Sequence, residues 1–394
     1  MRVTQFLTPG IKACIKSIVF SLKRIIKRRK RVVTNYSIVE FCSPRTDTFF
    51  GYYDITPFNN NEEVIYVEHH EDDNSVNIVL NSVNDDAKKV LATSRAWNWQ
   101  QACRLRWLSN DEISFNDFHE GDYVNRIIDV RTLKEKVLPF PLYDIDKKRE
   151  YGLYLNFDRL GKLRPGYGYT CKDSFREDQD SAAISLVDIS TFTVVKQLSY
   201  MEIGDAFKRK FDMDKCYINH LSFSPDGKLF MFFWIEIING YHKALMGVYD
   251  IDKKLIIPLE LEYKVSHYVW LDNNRILCTI YLTPSECKYF VYNISEKNKH
   301  PYCKGCLKVD GHPSVYDDKH ILTDTYPDAD GYQYLRLVDE TNDSFKNLAE
   351  VFSVPVSSGE RRTDLHPRFN SSKKAISFDA NIRGYRSLFV IKEA

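Results

Sequence analysis

The chain lacks the signatures of several common chemistries. It has no Gly-x-Ser-x-Gly elbow, which disfavours a serine peptidase of the hydrolase type. It has no phosphate-binding Gly-x-x-x-x-Gly-Lys-Ser/Thr loop and no Gly-x-Gly-x-x-Gly fingerprint; no helical pattern follows Gly166-Tyr167-Gly168. The strand–helix alternation that a nucleotide-sugar glycosyltransferase would need is missing too. Alanine is scarce, whereas 25 Tyr, 24 Phe and abundant Val and Ile lean toward β structure.

Acidic residues are absent from residues 1–32, which hold ten Lys/Arg. The net charge of +1 hides this, because the remainder carries 45 basic against 54 acidic residues, a net −9. An acidic body argues against nucleic acid as a partner. In the basic leader, Ile11, Ile15, Ile18, Val19, Leu22, Ile25 and Ile26 recur at helical spacing. Its longest apolar run, Ile18-Val19-Phe20, falls far short of the roughly 20 residues that span a bilayer. Basic residues interrupt the apolar region and cluster after it, unlike a signal peptide. Residues 1–35 therefore read as a basic amphipathic helix on an anionic membrane surface, against a partner protein, or as an unfolded leader. The expected location is cytoplasmic, peripheral at the inner face of the membrane. An odd count of nine cysteines fits reduced thiols there. Cys303-Lys304-Gly305-Cys306 has zinc-ligand spacing, but the sequence offers no second ligand pair, so the plain reading is a loop with two free thiols.

At 43% hydrophobic and 14% aromatic, the 394 residues can bury a large core. The clearest local signal is Tyr217–Trp234. His220, Ser222 and Ser224 alternate with Leu221 and Phe223 at strand period, and Pro225-Asp226-Gly227 supplies a tight turn. Leu229–Trp234 is then a continuous apolar run, as in a strand covered on both faces. Similar units begin at Tyr52, Arg104, Tyr154, His220, His267, His312 and His366, about 45–65 residues apart, each with further strands. That period predicts an all-β chain, a seven-bladed β-propeller over residues 36–394 following the N-terminal helix. An irregular third unit, with a Gly161-Lys162 turn and an insertion at Arg164–Asp180 expected over one face, leaves six or eight blades open. The last unit is short, and Tyr36–Phe41 is expected to supply its outer strand and close the ring.

The register places four of the ten histidines, His220, His267, His312 and His366, at equivalent positions that converge toward the axis. Imidazoles so gathered suit a transition metal, with Asp54, Asp310 and Asp364 near the same level as oxygen donors. Each could equally bond a carbonyl of the neighbouring blade. His69, His70, His119, His242, His300 and His320 read as solvated or structural. Arg95–Arg104 holds Trp97, Trp99, Gln100 and Gln101; aromatic faces stack on sugar rings and amides bind hydroxyls, although the Trp residues could equally pack blades. Tyr53, Asp54 and Tyr154 near channel ends, and Arg361 as a carboxylate partner, extend the candidate substrate site.

His220-Leu221-Ser222-Phe223-Ser224-Pro225-Asp226-Gly227 is similar to TolB-like propeller repeats. Gly311–Val315, Thr323–Asp328 and Asp364–Phe369 together resemble the oligogalacturonate lyase-like propellers. That resemblance implies a divalent metal, usually manganese, held by His and Gln, and cleavage of unsaturated galacturonate disaccharides by β-elimination. It implies His312 and His366 as metal ligands, with His220 next. The family's last ligand cluster is richer in His and Gln; Arg361 and Asp364 precede His366 here. Two functions follow. One is a carbohydrate-active propeller, metal-assisted and lyase-like on an acidic sugar or polysaccharide, with His267 or Arg104 as base. The other is a non-catalytic adaptor at the membrane surface that scaffolds polysaccharide assembly.

Overall fold

The computed structural model describes residues 32–71, 73–84, 87–172, 182–354, 359–370 and 374–392. The expected basic helix within residues 1–31 lies outside them. Strands dominate. β1 (Val32–Thr34) and β2 (Ser37–Phe41) come first. β3–β6 follow (Thr46–Phe49, Glu63–His70, Val76–Ser82, Lys89–Ser94), then β7–β10 (Arg106–Trp107, Glu112–His119, Asp122–Asp129, Glu135–Leu138). β11–β14 are Asp144–Ile145, Tyr151–Tyr154, Ala182–Asp188 and Thr193–Ser199. β15–β18 are Cys216–Phe223, Leu229–Ile238, Tyr241–Asp250 and Leu255–Trp270. β19–β21 are Arg275–Thr283, Glu286–Asn293 and Asn298–Pro301. β22–β25 are Ser314–Val315, His320–Thr323, Tyr332–Asp339 and Ser344–Phe352, and β26–β28 are Arg368–Asn370, Ala375–Asn381 and Arg386–Lys392. Two short helices interrupt them, α1 (Phe157–Leu163) and α2 (Tyr200–Phe207).

The strands form six antiparallel sheets, five of which take consecutive strands with β1 or β2 added to the last two. The sixth is seven-stranded, β15 to β21, because the 16-residue β18 serves two partners. Its first half pairs with β17 (Asp250↔Leu255) and its second half with β19 (Trp270↔Ile276). As expected, Phe230–Trp234 of β16 are buried, and Gly227 takes φ 75° in the turn before it. β2 pairs with β28 (Ser37↔Lys392), so the chain's beginning completes its final sheet. Pairing covers an edge that would otherwise present free N–H and C=O groups. β1 does the same for β25 (Val32↔Val351). Among the described residues, sheet structure is thus already present at Val32–Thr34, inside the segment assigned to the leader.

The third unit departs from the expected register. Its innermost strand is β11, and Tyr154 ends β12, the second strand, with its ring stacked on Phe140 at 5.8 Å. Gly161 lies within α1 and not in a turn. Asn156 caps that helix by accepting from Arg159 N, and the apolar spacing of Phe157 and Leu160 buries one face. Gly168 packs so tightly on α1 that an added Cβ would lie 2.0 Å from Gly161 N.

The innermost strands share a feature that places the site. Except in the third unit, the expected channel residue stands where pairing is interrupted or just outside it: Arg104, His312 and His366 lie just before β7, β22 and β26. In β15, pairing with β16 breaks between Asn219 and Ser222, around His220; in β18 it breaks between Val265 and Tyr268, around His267. β3 pairs with β4 only to Phe49↔Val67, and contact resumes at Phe58↔Val64, leaving Tyr52 and Tyr53 in the gap. Such bulges re-aim side chains. Arg104 (φ 55°), His220 (φ 60°) and His366 (φ 47°) share a left-handed backbone, which supports their equivalence. A side chain there costs on the order of 1–3 kcal/mol and persists only where the surroundings impose it.

Candidate functional site

The channel positions bring their side chains together. The rings of His267 and His312 lie 4.1 Å apart by centroid, and those of His312 and His366 lie 4.4 Å apart. Tyr53 sits 5.3 Å from His312, and Tyr52 sits 4.8 Å from His366 and 5.2 Å from His220. All six rings are buried.

Carboxylates and carbonyls fix the histidines from behind. Asp324 meets His312 Nδ1 at 2.8 and 2.9 Å, and accepts the backbone N–H groups of His312 (2.8 Å) and His366 (3.0 Å). This approach requires Gly311, where an added Cβ would lie 2.0 Å from Asp324 O. His366 Nδ1 donates to Gly51 O at 2.9 Å, the neighbouring-blade carbonyl contact foreseen as the structural alternative. His267 Nδ1 meets Asp310 at 2.9 Å, and Asp310 also accepts from Ser266 Oγ (2.6 Å) and Tyr281 OH (2.9 Å). With Nδ1 committed, the lone pair falls on Nε2. His312 Nε2 and His366 Nε2 are buried without a partner among the described residues.

His312, His366 and Asp364 offer donor atoms within 4.8 Å of one another. Two imidazoles with fixed Nδ1 groups and a carboxylate suit a divalent transition metal, and the unpartnered Nε2 atoms fit it. His220 is not in this group: its ring is stacked on Tyr52 and its Nε2 faces the Asn219 amide at 3.3 Å. Asp364 takes the third place, bonded to Arg362 Nε at 2.8 Å.

Beside the group lies a cavity of about 230 Å³, lined among others by His220, Lys264, His267, Arg362, Arg164 and Tyr167. His312 and His366 do not line it; His267 bridges the two. Neither Arg164 nor Lys264 has an ion-pair partner among the described residues; each lies over a tyrosine ring. His242, expected to be solvated or structural, also lines the cavity, with Tyr217 OH 2.8 Å from its Nδ1. The described part of the insertion after Arg164 forms a wall. Tyr167 faces this cavity, while Gly166 and Gly168 face a second one of about 420 Å³ that Trp97 and Trp99 line.

The other expected substrate residues divide accordingly. Trp97 and Trp99 meet edge to face at 5.0 Å, and the Arg361 guanidinium lies 4.8 Å over Trp99 while pairing with Asp47. Gln100 ties this region to the backbone carbonyls of Glu360 and Arg362 at 2.8 and 3.1 Å. Gln101 is buried beneath, donating to Tyr143 OH at 2.7 Å. Tyr53 reaches the centre, its hydroxyl accepting from Tyr268 N at 3.0 Å. Tyr154 is remote from both cavities, because the third unit's register is shifted. Arg104 is buried in a bidentate pair with Asp54 (2.8 and 3.2 Å) and lies 4.1 Å over the Tyr143 ring. Burial opposes its charge, but Asp54 outweighs this and raises its pKa, so Arg104 holds its proton and suits a structural clamp better than a base. Asp324 and Lys264 went unrecognised in the sequence; for Asp324 the only signal was its place in the Thr323–Asp328 motif.

Burial lowers the pKa values of His220, His267 and His366, so these imidazoles stay neutral. Burial works the same way on His312, but Asp324 overrides it and raises that pKa. The unfolded chain takes up protons near pH 6.5 that the first three do not bind when folded, so they contribute stability that is lost on acidification. His312 opposes them, since its contribution is full below that pH and fades as pH rises through its folded value. Burial lowers the pKa values of His69 and His242 as well, so five such histidines stand against one. The urea midpoint of metal-free protein is therefore expected to fall as pH drops below about 6.5. A midpoint that rises would contradict these assignments.

No protein-family model matches the chain, and no curated protein sequence is similar to it. Solved structures are. An oligogalacturonate lyase in complex with manganese superposes with a TM-score of 0.68 at 15% identity, over 92% of this chain and 94% of that one. The oligogalacturonate lyase of Vibrio parahaemolyticus gives 0.63 at 12%, over 92% and 97%. The β-propeller domain of the Trilobed protease from Pyrococcus furiosus gives 0.52 at 13%, over 88% and 95%. At these identities the likeness shows the fold. This chain has the β-propeller fold that the oligogalacturonate lyases share.

Proposed function

We propose that this chain is a seven-bladed, carbohydrate-active propeller, lyase-like, acting on an acidic sugar or polysaccharide with the help of a divalent metal. The count of seven takes the seven-stranded sheet as two blades joined through β18. The observation that carries the function is the cavity lined by His267 and Asp310, with three cations, Lys264, Arg164 and Arg362, of which the first two have no ion-pair partner among the described residues. Burial pushes the Lys264 ammonium below its ordinary pKa although Asp310 opposes the shift, and Arg164 and Arg362 add to it, so a ligand carboxylate would supply further counter-charge.

His312, His366 and Asp364 would hold the metal, manganese in the first instance because the similar lyase carries it. When bound, such a cation neutralises a uronate carboxylate and acidifies the adjacent C–H. The chain's own groups supply the rest. Asp310 holds the His267 tautomer with its lone pair on Nε2, and burial keeps that nitrogen unprotonated and ready to take the α-proton as the β C–O bond breaks, the departing oxygen taking a proton from solvent. Burial opposes ionisation of Asp310, but His267 and Ser266 outweigh it and hold the carboxyl ionised, able to stabilise the imidazolium. Arg362, kept charged chiefly by Asp364, and Tyr167 border the same space.

Calorimetric titration of the full chain with uronate and with neutral oligosaccharides tests this reading. Lys264→Met should weaken uronate binding about 10- to 100-fold, from the ~1.5–3 kcal/mol of a hydrogen bond to a charged group, and leave neutral-sugar binding unchanged. His267→Gln should keep binding and lose elimination. Equal affinity for acidic and neutral sugars in the parent would sink the reading.

A further inference from the structure

The sequence leaves Cys303-x-x-Cys306 without a second ligand source, but the fold supplies one. Both cysteines lie on the connection from β21 to β22, the segment that runs on to Asp310 and His312. Asp343, in the turn between β24 and β25, meets them from 37 residues beyond Cys306. Both sulfurs and a carboxylate oxygen of Asp343 lie within 4.8 Å of one another. The carboxylate is fixed in place, because its Oδ1 accepts the backbone N–H groups of Gly305 (3.0 Å) and Cys306 (3.1 Å). Such outer bonds orient a ligand carboxylate at metal sites. Asp343 itself stands in a left-handed conformation, φ 47°, that brings the turn to the loop. On one side the cysteines pack against the apolar cluster of Tyr302, Leu307 and Tyr289; on the other, all three ligand residues are partly open to solvent.

We propose that Cys303, Cys306 and Asp343 hold a zinc ion, with water in the fourth position. Zinc bonds of about 2.3 Å to sulfur and about 2.0–2.2 Å to oxygen place tetrahedral ligand atoms roughly 3.5–3.8 Å apart, within the spacing seen. Two thiolates select zinc over manganese, magnesium or calcium, so this site and the histidine group differ in metal preference. Binding releases the two thiol protons to solvent and oxidises nothing. The ion would clip the β24–β25 turn to the strand connection that delivers Asp310 and His312.

Cobalt(II) added to the reduced, metal-free full-length protein tests the proposal. The expected result is a sulfur-to-cobalt charge-transfer band that zinc abolishes. It should vanish in Cys303→Ser and Cys306→Ser, weaken in Asp343→Asn, and persist in His312→Ala/His366→Ala, which separates this site from the central one. A second measurement needs no variant. Zinc should shield Cys303 and Cys306, and not Cys42, from alkylation read by mass spectrometry. No thiolate band in folded parent, a band that survives both Cys→Ser changes, one indifferent to Asp343→Asn, or unshielded thiols would each overturn the proposal.

Discussion

Asp324→Ala is expected to destabilise the protein by about 3–5 kcal/mol, the range for stripping one partner from a buried charged pair. The carboxylate is 1% exposed and serves three groups: the imidazole of His312 and the N–H groups of His312 and His366. Removing it leaves two buried backbone donors and one imidazole N–H unmet, at about 1–3 kcal/mol each before relaxation. The same change frees the His312 imidazole to rotate, while Gly51 O still holds the His366 ring, so metal affinity should fall with stability, by the roughly 10–100-fold typical of a lost outer-shell partner. Asp324→Asn retains an acceptor and should cost less than half as much. Urea midpoints at constant slope give the first quantity, and metal titration gives the second. A cost below about 1 kcal/mol would show that Asp324 does not organise the site.

Arg368→Met should cost a similar ~3–5 kcal/mol, for a different reason. Arg368, on β26, is 1% exposed and reaches the start of the ring. Its guanidinium donates to Gly51 O, to Tyr52 O at 3.1 Å and to Asp379 at 2.8 Å. Asp379 also accepts from Phe50 N at 3.3 Å and Gly51 N at 3.4 Å. One ion pair thus joins the last sheet to the segment that carries Tyr52 and Tyr53, and Gly51 O is also the acceptor for His366. The single change leaves Asp379 charged and buried. Arg368→Met/Asp379→Leu removes both charges and should recover much of the loss, since apolar replacement of a whole buried pair is often near neutral. If the double variant is as unstable as the single, the pair is not the cause.

The sequence pattern carried further for the fold than for the contacts. The turn at Pro225–Gly227, the buried run after it and the closing strand at Ser37–Phe41 were all legible, because strand period and turn chemistry are local. So was the gathering of His267, His312 and His366, since equivalent positions in a radial array must approach one another. The interruption that aims His267 was not legible, because a bulge depends on pairing with the next strand. Nor was the third unit. The helix Phe157–Leu163 inserted there imitates the start of a strand pair, while the true inner strand is only Asp144–Ile145. Contacts between residues far apart in sequence left no mark: Asp54 with Arg104, 50 residues apart, and Asp343 with Cys306, 37 apart. The Trp97–Gln101 stretch was read as one sugar site. Its side chains part because Gln101 turns under the ring while Trp97 and Trp99 face the second cavity.

The central claim is a metal held by His312, His366 and Asp364 beside a cationic cavity. Elemental analysis of the full-length protein, reconstituted with manganese in a Cys303→Ser/Cys306→Ser background, tests it most directly. Roughly one ion per chain is expected, lost in His312→Ala and in His366→Ala variants that still unfold cooperatively. Absence of manganese and of every other divalent metal from the reconstituted parent would contradict the account, as would metal that survives both substitutions.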